Sequence, residues 1–253
     1  MEHKAPIPES GASSASATAQ VPIWLKVIYT AFVCVLVPYY WKAYGPVNFL
    51  YFCDVALLVT LPALWLENRM LVSVQAVAIL LPQMIWVFDF VCTLVFGQGP
   101  VGMTAYMFDE KLPLFVRGLS SFHGWMPFLL VYLVWKLGYD RRAFVIQSAC
   151  GVALLLGCYF FTPMPPAPVS DPNAAVNINY VFGLSYTEPQ HWMAPGLWLT
   201  MLIVVFPTVF YLPAHLALSK LFASARRAQS AQSAVPASSV ETQHPAPAVG
   251  EEA

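Results

Sequence analysis

The chain has 253 residues, of which 58% are hydrophobic and 10% charged, with a mean hydropathy of +0.63. A water-soluble domain carries roughly 25% charged residues, so the composition excludes an ordinary soluble enzyme and implies an integral membrane protein. A net charge of −1 and a pI near 6.5 exclude a nucleic-acid binder that works through a basic face.

The first 22 residues are a polar Ser/Ala/Pro-rich stretch and read as a disordered tail, with too little apolar surface to offset the entropy of ordering. Six apolar stretches follow, at 23–43, 48–66, 71–96, 118–137, 143–162 and 196–218. Each approaches or exceeds the roughly 20 residues that a helix needs to cross ~30 Å of hydrocarbon. The expected architecture is therefore an all-α polytopic bundle of six transmembrane helices over 23–218, ending in a polar tail over 219–253. Breakers separate the stretches, among them Gly45 and Pro46, the Glu67 to Arg69 turn, and the Pro-rich run that begins at Pro163. Trp24, Trp41, Trp65 and Trp135 stand at their ends, where interfacial belts form. The segment 98–117 is too polar and short to span and reads as a loop, re-entrant or interfacial helix. The first apolar run passes into YYWKAYGP without a small-residue cleavage site, so it reads as a retained span and not as a signal peptide.

With the N-terminus cytoplasmic, nine of the 12 Lys and Arg residues fall on the inner side; only Lys42, Lys111 and Arg117 fall outside. This bias assigns both termini to the cytoplasm and the protein to the cell membrane as a multi-pass component.

Cys34, Cys53, Cys92, Cys150 and Cys158 all lie in apolar runs, with no CxxC pair and no His at ligand spacing. That argues against a disulfide framework or a zinc site, and nothing in the sequence calls for a cofactor. Ionisable groups inside spans are costly, so each needs a reason. The second span carries Asn48, Cys53 and Asp54, the third Gln83, Asp89 and Cys92, and the fourth Ser120, Ser121 and His123. At ~1.5 Å rise per residue, Cys53, Asp54, Asp89, Cys92 and His123 share one layer near the outer surface. A structural reading stands beside a functional one: a lone Cys packs as a small hydrophobe, and a buried Asp pairs with Arg117, His123 or a hydroxyl.

The runs GPVNFLYFCDVALL, LSSFHGWMPFLLVYL and NINYVFG, the last followed by a loop and GLWLTMLIVVFPTVFYLP, resemble the YwaF-type bacterial integral membrane proteins. That family is similar in turn to eukaryotic transmembrane acyltransferases that use an intramembrane Cys and His on phospholipids. More remotely, it is similar to the androgen-induced lipid hydrolases. The resemblance implies a thiol-dependent lipid acyltransferase or hydrolase with membrane lipids as partners. Cys53 would then be the nucleophile and His123 the base, with Asn179 and Tyr180 matching the Asn-Tyr motif before the last span. The bacterial members tend to carry a His two residues before the Cys, where this chain has Tyr51. In such a mechanism Asp89, at the depth of His123, is the candidate to orient the imidazole, while Asp54 and Asn48 line the substrate pocket. Two other classes stay open: a small transporter or proton relay using Asp54, Asp89 and His123, and a non-catalytic scaffold whose polar residues hold helices together.

Overall fold

The computed structural model describes residues 21 to 233, with side chains to residue 222. Of the tails expected at 1–22 and 219–253, residues 1–20 and 234–253 lie outside the described residues. Among those described, every regular element is a helix. Four of them, Ile23–Tyr44, Arg69–Phe96, Ala143–Phe161 and Pro195–Phe222, are long and apolar enough to cross a membrane, which marks a membrane-embedded helical protein.

The two remaining apolar stretches form broken helices. Helix α1 (Ile23–Tyr44) ends where Gly45 takes φ 76° and Pro46 follows; the residue before a proline is biased out of the helical region, so the chain turns. A 3₁₀ turn, Pro46–Leu50, then gives way at extended Tyr51 to α2 (Phe52–Trp65). Helix α3 (Arg69–Phe96) starts on Asn68, whose side chain accepts from the Leu71 amide at 3.0 Å. It stops at left-handed Gly97, whose amide donates to the Thr93 carbonyl at 2.9 Å, a common helix terminator. The fourth stretch divides at Ser121 into α4 (Leu114–Ser120) and α5 (Phe122–Leu137). Helix α6 (Ala143–Phe161) follows.

The last stretch runs through α7 (Pro195–Val205), a π turn (Phe206–Tyr211) and α8 (Leu212–Ser233). Pro207 lies in the π turn; proline removes a helical donor, and a wider turn accommodates the loss. Helix α8 continues beyond residue 218, where the sequence reading placed the start of a disordered tail. The continuation is rich in Ala, Arg and Gln and meets no Gly or Pro before Pro236, so local propensity carries the helix on.

Helix α3 is the central post, packed against α2, α5, α6 and α8. Every residue from 72 to 79 is buried, and Ser73, Ala76 and Ala78 keep its neighbours close, as small residues do between membrane helices. At one end of the bundle Lys26 Nζ lies 2.7 Å from Glu67 Oε1, Arg69 lies 3.5 Å from Asp140, and the Tyr139 hydroxyl meets His215 Nδ1 at 2.7 Å. The start of α1, the α2–α3 turn, the α5–α6 turn and the start of α8 therefore share that end. The loop before α7 packs at the other end, where Ile178 and Val181 join Leu155 and Cys158 of α6 and Trp198 and Leu202 of α7 in a second apolar cluster.

Candidate functional site

At Tyr51 (φ −62°, ψ 141°) the helical hydrogen-bond ladder is interrupted, and backbone groups on either side need outside partners. Asn179 supplies them. Its Oδ1 accepts from the Phe52 amide at 2.9 Å, and its Nδ2 donates to the Leu50 carbonyl at 2.9 Å and reaches Cys158 Sγ at 3.5 Å. Asn177, Asn179 and Tyr180 take φ of 51°, 55° and 61°, a left-handed region that Asn enters more readily than most residues. Asn177 fixes this turn by accepting from the Phe182 amide at 2.9 Å and donating to the Gly183 and Ser185 carbonyls at 2.8 Å. The Trp198 indole donates to the Tyr180 carbonyl at 2.8 Å. Asn179 thus clasps the helix break that presents Cys53 and Asp54 on the first turn of α2.

The second break places His123. Its Nδ1 lies 2.8 Å from the Ser120 carbonyl; a carbonyl only accepts, so Nδ1 carries the proton and Nε2 keeps the lone pair. The ring stacks on Trp86 at 5.4 Å between centroids and tilts over Phe122 at 4.0 Å. The Ser120 hydroxyl and the Tyr40 hydroxyl are 2.9 Å apart, which ties this break to α1.

Asp89 does not orient His123, contrary to the sequence reading. It is fully buried, and its two oxygens accept from the amides of Val101, Gly102 and Thr104 and from the Thr104 hydroxyl at 2.7–3.0 Å. The carboxylate is saturated by the loop that follows α3, and His123 has a carbonyl in the position where a carboxylate was expected. Gly99 belongs to the same arrangement: a Cβ there would collide with the Asp89 carboxylate and the Thr93 hydroxyl. Asp89 is a positioning residue for the loop.

That loop forms part of a cavity of about 580 Å³. Cys53, Asp54, Asn48, His123, Asn179 and Tyr180 all line it, as do Gly102, Met103 and Tyr106 from the loop that Asp89 holds. Six of the seven residues expected at the site therefore meet in one space, and Asp89 stands behind its wall. The Cys53 thiol lies 3.8 Å from Asp54 Oδ2, so in this arrangement its hydrogen-bond partner is the adjacent acid. Asp54 Oδ1, both polar atoms of the Gln83 carboxamide and Trp86 Nε1 are buried without a hydrogen-bond partner, and all three side chains line the cavity. Burial pushes the Tyr106 phenol up to about 12, so it presents a neutral hydroxyl. Among the described residues no three His, Cys, Asp or Glu side chains gather closely enough to hold a metal ion.

Sequence reasoning noticed Gln83 as a polar residue within a span but did not assign it to the site; Tyr40, Trp86 and Tyr106 were missed. Gln83 and Trp86 lie three residues apart on α3 and one turn beyond Ile79 and Pro82, which also line the cavity, so helical periodicity from Gln83 was the available signal. Comparison with protein-family models, curated proteins and solved structures finds no match for the chain.

Proposed function

We propose that this is a six-span cell-membrane protein, with both termini cytoplasmic, that performs thiol-dependent acyl chemistry on membrane lipids. The observation that carries the reading is the shared cavity of Cys53 and His123, two groups from different helices, each presented at a helix break. The crossing count follows from length. The 3₁₀ turn and α2 together reach about 30 Å, at ~2.0 and ~1.5 Å per residue, which matches the hydrocarbon layer. Helices α4 and α5 make a comparable reach across the Ser121 break. Broken backbone at membrane depth is tolerated where protein surrounds it or where it lines a cavity, and both breaks border this one.

In the proposed reaction His123 Nε2 takes the thiol proton, after the Cys53 side chain has turned from Asp54 toward the imidazole. Sulfur attacks the ester carbonyl carbon of a phospholipid; the C–S bond forms, the C–O bond breaks, and the leaving alkoxide takes the proton from the imidazolium. The thioester then passes its acyl group to a hydroxyl acceptor or to water, deprotonated in turn by His123.

The test is acyl turnover in nanodiscs by the full chain, with a phospholipid carrying a labelled acyl chain and a lysophospholipid acceptor. Cys53→Ala, Cys53→Ser and His123→Ala should each abolish transfer and hydrolysis while folding is retained. Cys53→Ala removes little packing, at a cost on the order of 1 kcal/mol or less. Full turnover by a well-folded Cys53→Ala protein ends the proposal.

A further inference from the structure

Nine of the side chains that line the cavity are those of Tyr, Phe or Trp, and no Lys or Arg is among the lining residues. The acid among them, Asp54, is 4% exposed. Its Oδ1 has no hydrogen-bond partner, and its Oδ2 has only the weak contact with the Cys53 thiol. Beside it, the Gln83 carboxamide and the Trp86 indole N–H are also unpartnered. A buried carboxylate without a partner is costly, and pairing with a cation offsets that cost. Aromatic faces attract the same charge.

From this geometry we infer that the cavity is a binding site for a cationic amine, an ammonium head on an apolar body, with Asp54 as its counter-charge. The ammonium group lies against Asp54 Oδ1 and the faces of neighbouring rings such as Tyr40, Tyr51 and Tyr106. The Gln83 carboxamide and the Trp86 N–H take a polar atom further along the ligand, an ester carbonyl or a hydroxyl. An anionic group placed directly against Asp54 is disfavoured, because no guanidinium or ammonium among the lining residues would receive it there. The volume suits one drug-sized molecule. The site needs neither a thiol nor an imidazole, so it stands whether or not the acyl chemistry does.

The test is binding to the full chain in nanodiscs at pH 8, with three probes that share a phenethyl body: phenethyltrimethylammonium, its neutral isostere (3,3-dimethylbutyl)benzene, and the anion 3-phenylpropionate. The cation should bind at least about tenfold more tightly than the isostere, and the anion should not bind. Asp54→Asn should reduce the preference for the cation to near parity, while Cys53→Ala should keep it and lose acyl turnover. Equal binding of cation and isostere by the wild-type protein overturns the proposal, and that comparison requires no variant to fold. A cation preference that survives in folded Asp54→Asn overturns the role of the carboxylate. Cation binding without acyl turnover in the wild-type protein removes the reaction and leaves the amine site intact.

Discussion

Asn179 Oδ1 accepts the backbone amide of Phe52 across a separation of 127 residues in the chain. A loop at one end of the bundle thereby supplies the N-terminal cap of α2, the helix that carries Cys53 and Asp54. Tyr51, in the cap position, makes no side-chain capping bond of its own. The geometry of the candidate nucleophile thus depends on a residue that precedes the last span.

Asn179→Ala should therefore act on the break itself. It leaves the part-buried Phe52 amide and Leu50 carbonyl without their partner, at no more than about 1–3 kcal/mol for each such group. Hydrogen exchange should rise over residues 50–55 while the core of α3 stays protected. Unchanged exchange at the break would show that the clasp contributes nothing.

For Asp89 the prediction separates positioning from catalysis. Asp89→Ala leaves three loop amides and a hydroxyl without their acceptor, a loss on the order of 3 kcal/mol or more, and limited proteolysis should cut faster within 98–112. If Asp89 instead oriented His123, the variant would lose acyl turnover with the loop still protected.

Gly151 offers a packing test. A Cβ there would sit 2.9 Å from the Tyr211 hydroxyl, a buried group with no hydrogen-bond partner. Gly151→Ala should lower stability by about 1–3 kcal/mol. Tyr211→Phe removes the hydroxyl and should be close to neutral. In the Tyr211→Phe background the alanine should cost clearly less. Additive effects in the double variant would mean that the two groups do not meet.

The α5–α6 turn predicts a pH dependence. The Arg142 guanidinium, hydrogen-bonded to Asp140 at 2.8 Å, holds that carboxyl well below the usual carboxylate range, with the Arg142 amide and Arg69 adding to it. A depressed carboxylate contributes stability that is fully present above its unfolded value of about 3.9 and is lost as pH falls toward the folded value. Asp140→Asn should therefore have a lower Tm than wild type at pH 7, and the gap should narrow progressively below about pH 4. A constant gap from pH 7 to pH 2.5 would contradict this.

The proposed crossings are checked by reporter fusions after Arg142 and near Asn173. These should report opposite sides of the membrane, cytoplasmic for the first. Same-side signals would remove the six-span topology.

How many apolar stretches the chain has, and which breakers separate them, was legible in the sequence, because burial in hydrocarbon demands long apolar runs and Gly, Pro and charges interrupt them; the breaks at Tyr51 and Ser121 within two of those stretches were not. The boundaries of α1, α3 and α6 follow the apolar runs to within about two residues, apart from any fraying. Cys53, Asp54 and His123, assigned to one layer by counting rise per residue, line one cavity. Counting gives height along a helix but not what lies across from a side chain, and Asp89 shows the difference. It shares that layer, yet the chain folds back after Gly97 and places three loop amides on its carboxylate. Only the tertiary structure could decide this, because partners for a buried charge are set by how separate segments pack. The same holds for Asn179, whose bonds to Leu50 and Phe52 join segments more than a hundred residues apart, a pairing that no local periodicity encodes.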